Sequence, residues 1–352
     1  MSGGVDSSVA AALLIDAGHE VVGATMKLWG GPSDSGCCSV ADTDDARRVA
    51  EQLGIAHHVF NFGADFERHV VEPYVDAHAA GLTPNPCIAC NRHLKFDRFA
   101  RRAAQLGFDA IATGHHARVE AIAPGGPWRL RRGADQAKDQ SYVLHMLDQS
   151  QLGRLLLPVG EMTKAEVRRL AAARHLRTAT KPDSQDVCFI SKSGGRTAFL
   201  SERIPLHPGR VVDGSGATVG TVPAVELVTV GQRRALGNPG GTLLPGERRY
   251  AVDVDLADAV VTVGPLEQLL TEEISLRAVS WTSAAPAPDL DLSVQVSAHG
   301  LALPARWVPD HPPAAAGTGR VVLDAPIRRV AAGQSVVLYL GDEVVGGGTA
   351  SA

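Results

Sequence analysis

Ser2-Gly3-Gly4-Val5-Asp6-Ser7-Ser8 stands at the start of the chain and decides how the N-terminal part is read. Two adjacent glycines let successive backbone N–H groups converge. The hydroxyls of Ser2, Ser7 and Ser8 add donors, and Val5 through Ile15 reads as a helix whose N-terminus faces the same point. The product is an anion cradle. It lacks the lysine of a Walker A loop, so it is not a standard ATP or GTP hydrolase motif. It suits a pyrophosphate that leaves while an α-phosphate is attacked. Asp6 is a candidate ligand for Mg2+ bridging the phosphates. A plain helix cap of small polar residues is the alternative, but the run is too long to favour it.

Outward from the loop, residues 1–115 alternate between helical and strand periods, the signature of an α/β domain with a parallel sheet. Glu20–Met26 and His58–Phe62 read as strands. Ala46, Val49, Ala50 and Leu53 form a helical stripe between them. Phe99, Ala100, Ala103 and Ala104 mark a further helix face, followed by a strand over Asp109–Thr113 and a turn at Gly114. A phosphate loop is ordinarily delivered by a preceding strand, so a first strand is expected to be missing from the chain as given. From about Pro205 the texture changes to short Gly-, Pro- and Val-rich segments. Strands are expected at Val219–Val222, Glu226–Val230 and Tyr250–Val254 in a small β domain over 205–265. A last β domain over 270–352 ends in Ser335–Leu340 and Glu343–Val345. Asn238-Pro-Gly-Gly241 reads as a turn and Ala284–Asp291 as a surface loop.

The 352 residues are 45% hydrophobic and 20% charged, ordinary values for a globular protein. No apolar run reaches membrane-spanning length, and no signal-peptide pattern is present, so a cytoplasmic protein without a membrane partner is expected. The net charge of −4 excludes a general basic coat but not a local one. Residues 92–132 hold nine Lys or Arg against three acids, and residues 164–181 hold six against one. Solvated helix faces explain such runs unless a polyanionic substrate is indicated elsewhere.

Five cysteines fall at 37, 38, 87, 90 and 188, an odd number that argues against a structural disulfide framework. Pro84-Asn85-Pro86-Cys87-Ile88-Ala89-Cys90-Asn91 sets two thiols in a proline-shaped loop at a helix start, where a thiol becomes a better nucleophile. Cys188 follows Lys181-Pro-Asp-Ser184 and is expected to enter a strand, Cys188-Phe-Ile190. Three chemistries fit Cys87, Cys90 and Cys188: zinc binding, sulfur carriage as a persulfide, or three corners of an iron–sulfur cluster. Cys37 and Cys38 read as loop residues.

The glycine loop resembles that of the pyrophosphate-loop ATPases, which adenylate carbonyl or carboxylate oxygens. The ordered set of motifs resembles the bacterial tRNA-specific 2-thiouridylases from end to end. It comprises Ser2–Ser7, Thr83–Pro86 with Cys90-Asn91, Thr113-Gly-His-His-Ala-Arg118, and Lys138-Asp-Gln-Ser-Tyr142. It continues with Lys181–Ser184 and Cys188–Ile190, Gly231-Gln-Arg233 with Leu236-Gly237, and Gly333-Gln334 with Gly346–Gly348.

The resemblance implies an adenine-nucleotide alpha hydrolase-like parallel-sheet domain over 1–200, followed by the two small mainly β domains. It implies a tRNA-uridine 2-sulfurtransferase that uses ATP and Mg2+. The expected partners are a tRNA with a modifiable wobble uridine and a cysteine desulfurase or sulfur-relay protein as sulfur donor. Ser2, Gly3, Gly4, Val5, Asp6, Ser7, Met26 and Gly114 would touch ATP. Asn85, Pro86 and Cys87 would line the target-base pocket. His115, Lys138, Asp139, Gln140 and Gln334 would meet the tRNA. Cys188 would carry the persulfide, and Cys90 would be the nucleophile that completes transfer and forms a disulfide with it. The basic segments would then grip the phosphate backbone. Two departures stand out. Many members have Asp where this chain has Cys87, so a role for that carboxylate does not carry across, and the alternative of a cluster ligated by Cys87, Cys90 and Cys188 gains weight. Val294-Gln-Val-Ser-Ala-His299 replaces an Arg-rich strand. The rival readings are another adenylating enzyme, for which Cys90 and Cys188 would be dispensable, and an RNA-binding protein without catalysis.

Overall fold

A computed structural model of the chain describes residues 1–29, 40–183, 187–190, 194–237, 248–288, 290–310 and 317–351. Cys37, Cys38, Ser184 and the Asn238-Pro-Gly-Gly241 turn lie outside the described residues. Helix Val5–Asp16 starts directly on Gly4 and buries Val5 and Ser8 through Ala12. Its core contacts are with the helix Lys164–Ala173 through Val9, Val167 and Ala171. Helix Val40–Leu53 buries Ala46, Val49 and Ala50, the expected stripe. Strands Gly23–Lys27 and His57–Asn61 pair in parallel, Gly23 opposite His57. Pairing begins later than Glu20 because that residue is solvent-exposed and Gly23 makes the first cross-link, to the Ala56 carbonyl at 2.8 Å. A second parallel pair joins Ile111–Ala112 to Leu155–Leu156, a shorter strand than the expected Asp109–Thr113. In the N-terminal part the described parallel strands thus form two separate pairs. Met1 lies along the first pair: the Thr25 hydroxyl donates to its carbonyl at 2.7 Å.

The cysteine-bearing segment is helical throughout. Pro86–Cys90 is an α-turn, Asn91–Phe99 is wound as a π-helix, and Ala100–Gln105 resumes the α-form. Cys188-Phe-Ile190 is a turn, not the expected strand, closed by the Ile190 N–H on the Val187 carbonyl at 3.3 Å. The reason is Phe189. Its ring lies 5.7 Å from Phe66, 5.4 Å from Tyr74 and 5.1 Å from Phe199, so the segment folds inward to bury it.

The central β unit is a four-stranded sheet in the order Thr218–Val222, Gly209–Val212, Val260–Gly264, Tyr250–Asp255. The expected strand over Glu226–Val230 is instead a 3-10 turn, Val225–Leu227. Glu226 is buried there, and its carboxylate accepts from the His207 backbone N–H at 3.1 Å and pairs with His207 Nδ1 at 2.7 Å. A carboxylate at that depth requires those donors, and strand pairing would remove them.

The last unit is a closed antiparallel barrel. Leu270–Trp281, Gly319–Arg328, Leu303–Pro309, Leu292–Gln295, Ser335–Leu340 and Glu343–Ala350 follow one another, and the last pairs back onto the first. Closure leaves no open edge. The hairpin Ala117–Ala121/Trp128–Arg132 of the N-terminal part is appended to this sheet through Arg131 and Glu343. Val337, Tyr339 and Val344 of the barrel share one apolar core with Leu130, Tyr142, Leu144 and Leu152. The barrel and the nucleotide-loop part are therefore packed as one body along this seam.

Three buried histidines make this packing acid-sensitive. Burial drives His78 and His145 down to about 4, and drives His115 well below its ordinary value. In the unfolded chain such a group takes up a proton below about pH 6.5. Between about pH 6.5 and 4 the unfolded state therefore binds more protons, and stability falls as the pH falls. His78 and His145 each contribute up to about 3 kcal/mol to that loss. Thermal unfolding at pH 7.5 and pH 5 is expected to show a large drop in Tm, and His145→Gln is expected to flatten the slope.

Candidate active site

The loop is held open by contacts only glycine permits. Gly3 has φ of 70°, and a Cβ there would lie 2.2 Å from the Asp42 carbonyl. A Cβ on Gly114 would lie 2.6 Å from Ser7 N and 2.8 Å from Asp6 Cβ. Gly114 and Ser2–Ser7 thus form one site, although more than a hundred residues separate them. Ser7 Oγ accepts from Ser2 N at 3.1 Å, and the Ser8 hydroxyl donates to the Gly4 carbonyl at 2.8 Å. Met26, on the strand beside the loop, packs against the aromatic cluster of Phe66, Tyr74 and Phe189.

A chain of charges crosses the loop. Lys164, the first residue of helix Lys164–Ala173, places Nζ 2.7 Å from both Asp6 oxygens and 3.0 Å from Asp183. Asp183 also accepts from Lys138 at 2.8 Å and Arg168 at 2.7 Å. His116 Nε2 lies 3.2 Å from Asp6, and Gln140 orients His116 by accepting its backbone N–H at 2.9 Å. Burial raises the Asp6 carboxyl, but His116 and Lys164 outweigh it and hold the group below the usual range. Asp183 is likewise held far down: burial opposes ionisation, and hydrogen bonds from Lys138 and Lys164 override it. Lys181, two residues before Asp183, grips Asp42 at 2.6 Å and Asp45 at 2.7 Å, tying this segment to the helix behind Gly3.

Lys164 escapes motif reading because it lies far from the glycine loop in sequence. Its signal is local. Thr163 and Glu166 form a capping box, and a lysine in that first turn opposes the helix dipole unless carboxylates surround it.

On the sulfur side, Asn85 caps the helix: its Oδ1 accepts from Cys87 N at 3.1 Å and Ile88 N at 3.4 Å. Asn85 and Pro86 thereby fix the turn that carries both thiols. Cys90 is buried, and it belongs to the same apolar cluster as Cys188, Phe189 and Met26. Cys87 is half-buried and is not part of that cluster. Among the described residues no group of three or more His, Cys, Asp or Glu is set to hold a metal ion. The iron–sulfur ligand set expected of Cys87, Cys90 and Cys188 finds no support in that arrangement. Thr83, just ahead, joins three regions. Its N–H donates to the Ala332 carbonyl at 2.8 Å, its carbonyl accepts from Gln334 Nε2 at 3.1 Å, and its hydroxyl meets Thr229 at 3.3 Å.

The chain matches the model of the tRNA methyl transferase HUP domain over residues 1–192 and that of the aminomethyltransferase beta-barrel domain over 271–350. It is similar to the tRNA-specific 2-thiouridylase MnmA of Roseiflexus sp. (strain RS-1), 44% identical over 99% of this chain and 97% of the relative. The protein of the same description from Chloroflexus aggregans is 47% identical over 99% and 96%. That from Mycobacteroides abscessus is 46% identical over 98% and 96%. The chain belongs to the tRNA-specific 2-thiouridylase family. Its architecture, a HUP-type domain with a C-terminal β-barrel, is the one the resemblance implies.

Several residues expected to face RNA in a 2-thiouridylase are structural in this member. Asp139 is buried, and accepts from Gly133 N and Ser141 N at 3.0 Å, Ser141 Oγ at 2.9 Å and Arg132 Nη1 at 2.9 Å. It locks the hairpin rather than facing solvent. Asp139→Ala strips Arg132 of its carboxylate and leaves two N–H donors unmatched, and is expected to cost about 3–5 kcal/mol, read as a fall in Tm. His115 is buried beside Phe96 and bonded to the Thr113 hydroxyl at 2.8 Å. Gln295, in the segment replacing the Arg-rich strand, is buried and accepts from Arg132 at 2.8 Å.

The basic segments are also largely consumed within the fold. Arg118 and Arg131 bind Asp342, Arg129 binds Glu343, and Arg98 and Arg101 bind Asp65 and Asp97. All six cations of 164–181 are ion-paired. Within the fold, most of their charge holds the hairpin on the barrel and the helices on the loop. Arg92, Lys95 and Arg102 have no carboxylate partner among the described residues.

Proposed function

We propose that this chain is a tRNA-uridine 2-sulfurtransferase that adenylates the C2 oxygen of a wobble uridine and replaces it with sulfur. The observation that carries this reading is the common packing of Cys90, Cys188 and Met26 beside a lysine-free glycine loop. ATP binds along Ser2–Ser7, Met26 and Gly114, and the uridine oxygen attacks the α-phosphate while pyrophosphate leaves. Adenylation is needed because an amide-like oxygen leaves poorly, whereas AMP leaves well. The terminal sulfur of a Cys188 persulfide then attacks C2 and AMP departs with the oxygen. The Cys90 thiolate next attacks Cys188 Sγ, breaking the S–S bond. This leaves 2-thiouridine and a Cys90–Cys188 disulfide, which an external thiol must reduce before the next turnover.

The base is splayed from the anticodon loop to reach the turn at Asn85, Pro86 and Cys87, which Thr83 fixes to the barrel. Lys138, Gln140 and Gln334 border the approach. Mg2+, when bound, neutralises phosphate charge, and the hard oxygen donors for it are Asp6 and Asp183. Sulfur arrives as persulfide from a cysteine desulfurase or sulfur-relay protein, the form that a two-thiol transfer through Cys188 and Cys90 can accept. Thiol chemistry of this kind needs a reducing compartment, in keeping with a cytoplasmic enzyme. Among the described residues no helix is long and apolar enough to cross a membrane.

Incubation with ATP, a persulfide donor and whole tRNA, followed by nucleoside analysis, tests this reading. It predicts 2-thiouridine at the wobble position and one pyrophosphate per thiolation. Pyrophosphate release with no thiolated nucleoside would favour another adenylating activity, and neither product would favour a non-catalytic RNA binder.

A further inference from the structure

The glycine loop has no lysine of its own, yet Lys164 reaches it from the far end of the same domain. Its side chain is only 13% exposed and lies between two carboxylates, Asp6 and Asp183. Two helix starts converge there, Val5–Asp16 with Asp6 in its first turn and Lys164–Ala173 with Lys164. Both starts present the positive end of a dipole; helix Val5–Asp16 has no side-chain cap, whereas Asp135 and the Thr163–Glu166 capping box satisfy N–H groups of the second. Asp183 in turn is shared by Lys138, Lys164 and Arg168. Such a focus of donors and cations favours an anion with more oxygens than one carboxylate supplies. The Asp6 and Asp183 oxygens surround the Lys164 ammonium at 2.7 and 3.0 Å.

We propose that Lys164 is the polyphosphate-binding side chain of the loop, and that Asp6 and Asp183 hold it in place until the nucleotide's β- and γ-phosphates displace them. This rests on the ATP-using reading above and deepens it. No covalent bond is made or broken: the ammonium exchanges carboxylate for phosphate oxygens. The lysine that other phosphate loops carry in sequence is here delivered by the fold. Asp183 becomes a competitor for the same cation, which gives the proposal a sign that a structural role does not share.

Calorimetric titration of the full chain with inorganic pyrophosphate, ATP and AMP, in metal-free buffer at low salt, tests this. Lys164→Met is expected to weaken pyrophosphate and ATP roughly tenfold or more, as loss of a charge-assisted contact implies, and to leave AMP within about twofold. Asp183→Asn is expected to tighten pyrophosphate several-fold, because Lys164, Lys138 and Arg168 lose their competing carboxylate. If both variants weaken binding of all three ligands, with lowered Tm, the lysine is structural and the proposal is wrong. Equal pyrophosphate affinity in Lys164→Met and the unaltered chain also overturns it. If the unaltered chain binds neither ATP nor pyrophosphate, the nucleotide reading fails as well, and the proposal with it.

Discussion

Cys188→Ser is expected to lower 2-thiouridine formation by about 10³-fold or more, since it removes the atom that carries the sulfur. tRNA-dependent pyrophosphate release is expected to persist within a few-fold. The two halves of the reaction use different ends of the site. On the proposed mechanism adenylation uses the loop, Gly114 and the charge chain through Lys164, whereas Cys188 packs in the aromatic cluster with Cys90. Serine matches the size of cysteine, and Cys188 is only half-buried, so packing is little changed. The chain should therefore adenylate tRNA and stall. Cys90→Ser is expected to stall later, with Cys188 still joined to the uridine through sulfur. Mass spectrometry of the trapped tRNA separates the two arrests. Loss of pyrophosphate release in Cys188→Ser would mean that the cysteine serves the first half-reaction, contrary to the roles assigned above.

Gly3→Ala is expected to weaken ATP by about 10²-fold, the scale that a displacement of about 1 Å produces at a positioned site. A left-handed residue bearing a Cβ costs about 1–2 kcal/mol. The larger effect is steric. The Asp42 carbonyl lies 2.2 Å from the new carbon and is backbone, on the helix that Lys181 clamps through Asp42 and Asp45. The loop must move because its neighbour cannot. Gly18→Ala is the matched control. Gly18 has φ of 85° with nothing within 4 Å of a Cβ, so only the backbone strain remains. It is expected to lose stability without losing ATP affinity. Nucleotide titration and thermal unfolding of both variants check the contrast.

The glycine loop was legible in the sequence because its chemistry is contiguous: residues 2–8 carry the donors, the turn and the helix start together. The proline-flanked cysteines were legible for the same reason, and Asn85 caps their helix as a short polar residue before proline should. What escaped depends on contacts between distant segments. Lys164 meets Asp6, and links it to Asp183, only because helix Lys164–Ala173 packs on helix Val5–Asp16, and His116 reaches Asp6 from a further segment. Asp139 reads as a polar residue in a motif, and only the hairpin around it shows that Arg132 and two backbone N–H groups claim it. The arginines of 118–132 look like a nucleic-acid patch until Asp342 and Glu343 arrive from the other end of the chain. Periodicity likewise cannot tell the strand Cys188–Ile190 from a turn. A single aromatic, Phe189, decides that by seeking the cluster of Phe66, Tyr74 and Phe199.

The assignment of adenylation and sulfur delivery to one cleft is tested most directly by a single turnover of chain loaded with labelled persulfide sulfur. ATP and tRNA are added without reductant, and the protein is then mapped by mass spectrometry. The account predicts one Cys90–Cys188 disulfide-linked peptide for each labelled 2-thiouridine formed. Labelled thiouridine appearing while Cys90 and Cys188 remain unlinked would contradict it.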